Sequence, residues 1–235
     1  MSKCEVKKIL YFETPGPHNT DNVVEAVKER VKEGDIEHVI VASISGRTAL
    51  RFAEEFRGLA VSVICVSGNP SWLVMYGVEY PFVRGEIREQ LERLNVAIVD
   101  KTPSTLSGDT IDYGLARYGY IPASWVAAET LEAVGGYGLK TAVEATLMAT
   151  DCAAVPPSVN VISVAGTDRG ADTAIVAKST YSPLMFSSDA SRRFQVREII
   201  AMPKQKKWYK RIGVGGIWLT EIEKGETLSE GATPT

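Results

Sequence analysis

Short apolar runs alternate along this chain with longer stretches in which apolar residues recur every three or four positions. Runs at 6–12, 39–43, 61–66 and 96–99 have the length of strands. The run at 61–66 is largely β-branched and apolar, the pattern of a strand buried on both faces. Between the runs, Val23, Val24, Val27 and Val31 fall on one face of a helix that Asn19 or Thr20 can cap and Gly34 can end. Helical periodicity returns at 48–56, 86–94, 111–118, 123–134 and 139–149, with a break at Gly135-Gly136 and a stop expected at Pro156-Pro157. Strands are expected at 160–165 and 173–177 around a Gly-rich turn, and again at 197–202 and 212–219.

Alternating strands and helices predict an α/β fold: a mostly parallel but mixed sheet with helices on both faces. No internal repeat or linker is evident. Residues 1–223 are read as a single domain, and 224–235, rich in Gly, Ser, Thr and Glu, as a frayed tail.

In open α/β sheets, ligands sit beyond the carboxyl ends of the strands. Three loops expected there are rich in Gly, Ser and Thr. The first joins a strand to a helix and reads Ser43-Ile44-Ser45-Gly46-Arg47-Thr48. Free N–H groups at a helix start, the hydroxyls of Ser43, Ser45 and Thr48, and the fork of Arg47 together suit an anion, with Gly46 allowing close approach. The same residues also suit an ordinary capped turn. The second is Gly166-Thr167-Asp168-Arg169-Gly170-Ala171-Asp172-Thr173, either a pocket wall or a tight turn whose Asp168 and Asp172 bond their own backbone. The third runs from Thr14-Pro15-Gly16 to Asn19-Thr20, a rigid loop entering a helix N-terminus. Asp100, Thr102, Thr105 and Ser107 follow another strand end and are weaker candidates.

No dinucleotide fingerprint, P-loop, nucleophile elbow or HExxH motif occurs, and Gly213-Val214-Gly215-Gly216 reads as a bulge in a strand. Cys4, Cys65 and Cys152 are far apart, which argues against a zinc site. The 235 residues carry a formal net charge of −3, which argues against nucleic acid as a partner. One basic stretch with aromatics, Lys204-Gln205-Lys206-Lys207-Trp208-Tyr209-Lys210-Arg211, has the composition of a single-strand binder but equally of a solvated loop. No run approaches the roughly 18 apolar residues of a membrane span, and the polar start lacks a signal-peptide core. A cytoplasmic protein with no membrane partner is expected. Sparse Asn and Gln beside abundant Glu and Lys hint at a thermophile.

The segment from Thr20 to Ser67 resembles the start of the pyruvate kinase C-terminal domain, through Ser45-Gly46-Arg47-Thr48-Ala49 placed between strand and helix. In allosteric pyruvate kinases this turn cradles a phosphate of a sugar-bisphosphate effector, a role the resemblance extends to Ser43, Ser45, Gly46, Arg47 and Thr48. Over nearly its whole length the chain resembles a mostly archaeal family of stand-alone proteins named after that domain. Pro15-Gly16 with Asn19-Thr20, and Gly170-Ala171-Asp172-Thr173-Ala174, carry this likeness. Members are similar to proteins that bind flavin mononucleotide (FMN), with no settled reaction. The resemblance therefore implies a pyruvate kinase C-terminal domain-like fold and FMN as cofactor. It makes Asn19, Thr20, Gly170, Asp172 and Thr173 further binding residues, to which the pocket-wall reading of the second loop adds Gly166 and Thr167. Kinase chemistry does not follow: phosphoryl transfer needs metal-binding carboxylates and a lysine around the phosphates, which pyruvate kinase carries on a barrel of about 250 residues.

The leading expectation is a mononucleotide-binding α/β flavoprotein with a redox or sensing role. The alternative is a regulatory module that binds a sugar phosphate and acts through a partner or as a homo-oligomer. A third reading is a hydrolase or transferase using Asp168 or Asp172.

Overall fold

Apolar alternation along the strands decides the layers. Val39, Val41, Val63, Cys65, Ile162 and Val164 turn to one face of the sheet. Ile40, Ile64, Val66, Val161 and Ala165 turn to the other. Side chains in a strand alternate with a period of two, so buried residues at successive positions require cover on both sides. A computed structural model describes residues 4–73, 77–116, 118–207, 210–214 and 217–221, with Ala116 and everything beyond 207 described as backbone alone.

The strands are β1 (Leu10–Phe12), β2 (His38–Ala42), β3 (Ser62–Val66), β4 (Ala97–Val99), β5 (Asn160–Ala165), β6 (Thr173–Lys178) and β7 (Gln195–Pro203). They form one seven-stranded sheet in the order β1-β7-β6-β5-β2-β3-β4. β6 runs antiparallel to both its neighbours, and every other pairing is parallel. The helices are α1 (Thr20–Val31), α2 (Arg47–Glu55), α3 (Gly85–Arg93), α4 (Ile111–Ala116) and α5 (Ala123–Asp151). α1, α2 and α3 cover one face through Val23, Val27, Phe52 and Leu91. α5 covers the other through Ala142, Val143, Leu147 and Met148. The expected α/β architecture, with a mixed sheet and helices on both faces, is the observed one.

Crossovers that step toward β4 lie on the α1–α3 face, and the one that steps back, from β4 to β5, lies on the α5 face. That arrangement gives every crossover the same hand, as the twist of the strands demands. It also creates a switch point: from β2 the chain turns toward β3, and from β5 toward β6. In such sheets a crevice opens between the carboxyl ends of the two strands.

Differences from the sequence pattern are local. β1 is confined to the last residues of its run, leaving Val6 and Ile9 exposed. The two expected middle helices form one unit, α5, interrupted only at Gly136 with φ 82° and ψ 177°. α5 ends at Asp151, before Pro156-Pro157, because its last turn closes through Cys152 and Ala153. The expected strand at 212–219 is instead an antiparallel hairpin, β8 (Lys210–Val214) and β9 (Ile217–Glu221), outside the main sheet. Gly215-Gly216 and the tail at 224–235 lie outside the described residues, as do Trp208 and Tyr209. No helix among the described residues is long and apolar enough to cross a membrane.

Candidate functional site

Register places the loops. Val41 pairs with Val164 and Ala42 with Val66, so Ser43 leaves β2 level with Gly166 after β5 and Ser67 after β3. The Ser43–Thr48 turn and the 166–172 hairpin therefore flank the switch point on adjacent strands, which run about 4.8 Å apart.

In the turn, Gly46 N–H donates to Ser43 O at 3.2 Å and Thr48 N–H to Ser43 Oγ at 3.1 Å. Ser43 thus caps α2 and uses one of its free donors. The remaining groups are uncommitted. Among the described residues the N–H groups of Ser45 and Arg47, the hydroxyls of Ser45 and Thr48, and the Arg47 guanidinium make no hydrogen bond or ion pair. Arg47 is exposed, and Ser45 and Thr48 are half-buried. They sit at the positive end of α2, where an anion is favoured. Gly46 has a reason of its own: φ is 82°, and a Cβ there would lie 2.9 Å from Ile87 and 3.0 Å from Leu91 and Val83. Its missing side chain admits α3 and the residue Val83 before it.

The hairpin is bonded differently. Asp172 is fully buried, and its Oδ2 accepts Gly16 N–H at 2.9 Å and Thr167 N–H at 3.0 Å, while Oδ1 accepts Thr173 Oγ1 at 2.9 Å. Thr20 Oγ1 donates to Pro17 O at 2.7 Å and accepts Ala171 N–H at 3.0 Å. Asn19 sits at the N-cap of α1 without a capping bond from its side chain; its Nδ2 donates instead to Thr14 O at 2.9 Å. Gly166 and Gly170 are required by contact, since a Cβ on either would meet Gly170 O or Thr20 Oγ1 at 2.4 Å. The loop at 14–20 and the hairpin form one hydrogen-bonded block. Asp168 pairs with Lys207 at 2.9 Å, and Arg169 points to solvent without a partner among the described residues.

The basic stretch folds onto this edge as far as it is described. Lys204 N–H donates to Phe12 O at 2.7 Å, Lys204 Nζ pairs with Glu13 at 2.5 Å, and Lys206 lies against the Gly136 kink. Burial pushes the Lys206 ammonium below its ordinary pKa, partly opposed by the Asp172 charge.

Two clusters escaped the sequence reading. Lys140 and Glu144, both buried on α5, pair at 3.2 Å, and Glu144 also accepts Leu106 N–H and Ser107 N–H, each at 2.7 Å. Burial raises the Glu144 carboxyl, but Lys140 and the backbone donors outweigh it and hold the carboxyl below its usual range. Lys140 also reaches Ser107 Oγ at 3.1 Å. An ammonium held by a carboxylate is no general base, so this cluster fixes the loop rather than activating Ser107. The second cluster joins the loops after β3 and β4. Asn69 Nδ2 and Trp72 Nε1 both donate to Asp109 Oδ2, the latter at 2.9 Å. Asp109 is 7% exposed, and its Oδ1 is buried without a donor among the described residues. A buried acceptor left this way costs about 1–3 kcal/mol. The only sequence signal was a polar Ser-Gly-Asp-Thr turn at 107–110, which any surface loop could carry.

Asp100, level with Ser67, is buried and pairs with Arg88 at 2.5 Å. Cys65 is buried beneath Ser43 O, to which its thiol donates at 3.5 Å; burial, with Asp100 nearby, pushes its pKa up to about 12. Among the described residues no three His, Cys, Asp or Glu side chains converge as a metal site would need. An open groove between α2 and α3, lined by Leu50, Glu54, Arg57, Gln90, Arg93 and Leu94, lies at the far ends of these helices from the turn. No family model matches the chain.

Proposed function

We propose that this protein binds a phosphorylated small molecule whose phosphate rests on the α2 turn, with Ser45, Arg47 and Thr48 as its direct contacts. The observation that carries this reading is the set of uncommitted donors at the switch point. Two N–H groups, two hydroxyls and a guanidinium stand together without partners among the described residues. An anion at this helix start would meet several donors at once. Ser43 and Gly46 shape the turn from beneath. The 14–20 loop and the hairpin, with Asn19, Thr20, Gly166, Thr167, Gly170, Asp172 and Thr173, form the rigid opposite wall.

FMN is the ligand we favour, on the resemblance of the chain to FMN-binding proteins, with a redox or sensing role. A pyruvate kinase reaction is not part of the proposal. Titration of the purified protein with FMN, followed by quenching of flavin fluorescence, tests the reading. Riboflavin should bind at least about tenfold more weakly, roughly 1.4 kcal/mol. Added salt should weaken FMN more than riboflavin, because only FMN has a screened charge. Inorganic phosphate should compete. Equal affinity for FMN and riboflavin would discard the phosphate contact. Binding of ribose 5-phosphate without any flavin would instead favour a sugar-phosphate regulatory module.

A further inference from the structure

Exposed apolar surface is gathered on one side of this protein. Of the fifteen large apolar side chains exposed among the described residues, seven belong to the stretch 111–134. Ile111 and Leu115 stand on α4, Tyr118, Tyr120 and Ile121 on the link that follows, and Val126 and Val134 on α5. Ile111 is 79% exposed, Tyr118 73%, Ile121 69% and Val134 70%. Asp112 Oδ2 accepts Ser124 Oγ at 3.1 Å, so the two helices and their link form one patch. The pattern along α5 agrees. Ala123, Val126, Thr130 and Val134 recur at steps of three and four on its exposed side. Thr130 Oγ1 donates back to Val126 O at 2.7 Å, which satisfies its one donor within the helix. A solvated helix face carries charge instead, as α1 does with Asp21, Glu25 and Glu29, and α3 with Glu86, Glu89 and Glu92. The inward packing of α5 uses other residues. After Gly136 it covers the sheet, and before Gly136 Ala127, Ala128 and Leu131 reach the core while Trp125 packs on Gly108.

We propose that the 111–134 patch is the surface through which two copies of this chain associate about a two-fold axis. Area and charge both select a second copy as the occupant. At these exposures the seven residues leave on the order of 800 Å² open, the share that one partner brings to a standard-size interface. The largest apolar patch on a typical monomer is about 300–600 Å². Charge is balanced: residues 110–128 carry only Asp112 and Arg117, which cancel. Nothing there attracts an acidic or a basic partner. Tyrosines and aliphatic residues without net charge have the composition of an interface centre, and such a surface meets its own copy without repulsion. About a two-fold axis the same patch serves both chains, so the assembly closes at two. The patch shares no residue with the α2 turn, so its failure leaves the phosphate site untouched, and the reverse.

Sedimentation equilibrium of the full chain tests this. At about 100 μM, above the micromolar limit of interfaces this size, the mass should be twice the 25.5 kDa of one chain. Val126→Glu sets like charges in the patch of both copies and should raise the dissociation constant at least about a hundredfold. Val126 is exposed, so the far-UV circular dichroism of the variant should match wild type. Ile121→Asp carries the same expectation and stands in should Val126→Glu fail to fold. Val6→Glu changes the most exposed apolar side chain among the described residues outside the patch, and it should leave the doubled mass intact. A wild-type chain that sediments as a monomer at about 100 μM overturns the inference. So does a dimer that survives both Val126→Glu and Ile121→Asp, or one that Val6→Glu dissociates in their place.

Discussion

The α2 turn and the 166–173 hairpin are both small, polar and rich in Gly and hydroxyls, stand level on neighbouring strands, and are bonded in opposite ways. In the hairpin, Asp172 satisfies two backbone N–H groups and one hydroxyl, and Thr20 bridges Pro17 and Ala171. In the turn, Ser43 accepts Thr48 N–H and Gly46 N–H, while the N–H groups of Ser45 and Arg47, the hydroxyls of Ser45 and Thr48 and the Arg47 guanidinium have no partner among the described residues. Buried polar groups must be paired, so the hairpin, which pairs them internally, is fixed, whereas the turn leaves part of its donors to solvent. Gly, Thr and Arg occur in both.

The comparison breaks most visibly at Asp172. Asp172→Ala strips three donors of their acceptor and should destabilise the protein by roughly 3 kcal/mol or more, read as a lowered urea midpoint. If Asp172 is instead a ligand contact with little structural role, stability will hold and only ligand affinity will fall. Gly170→Ala is next. With φ 66° and a Cβ 2.4 Å from Thr20 Oγ1, it should cost about 2 kcal/mol, again in stability. Arg47→Ala should do the reverse on the other side of the crevice. FMN affinity falls by roughly 1.5–3 kcal/mol, and the unfolding midpoint stays within about 0.5 kcal/mol of wild type. A variant that loses stability rather than affinity would place the turn with the hairpin.

Acid offers a smaller contrast, located at the other end of the sheet. Hydrogen bonds from Arg30 hold the carboxyls of Asp35 and Glu198 below their usual range. Their folded pKa values lie below the unfolded ones, so their contribution is complete above about pH 5 and is lost as pH falls through the lower folded values. The urea midpoint should decline over that acid range, and Glu198→Gln should flatten the decline. The smallest effect belongs to Lys207→Ala, which removes a part-exposed pair with Asp168. It should change stability by about 0–1 kcal/mol, and a larger loss in thermal melts would mean the basic stretch is integral to the wall.

Reading the sequence located the strands to within a few residues because their apolar residues are contiguous and their loops carry Gly or Pro. It misread 212–219 as one strand, since periodicity alone does not reveal that Ile212 and Leu219 face each other across a hairpin. It gave no sign that α3 packs where a Cβ of Gly46 would lie. It did not single out Asn69, Asp109, Lys140 or Glu144, whose partners lie up to forty residues away.

What the sequence determined by itself was the alternation of elements, and through it the α/β class. It also determined the three Gly- and hydroxyl-rich loops at the carboxyl ends of strands. These follow from local rules: a period of two or 3.6, helix caps, and the reach of neighbouring residues. Only the tertiary structure decided which of those loops keeps its donors. Asp172 finds Gly16 from 156 residues away. Among the described residues, Arg47 is left with none of the carboxylates that hold Arg30, Arg51 and Arg88. A hydrogen bond is a property of a pair, and the chain brings most of these pairs together only when the sheet forms.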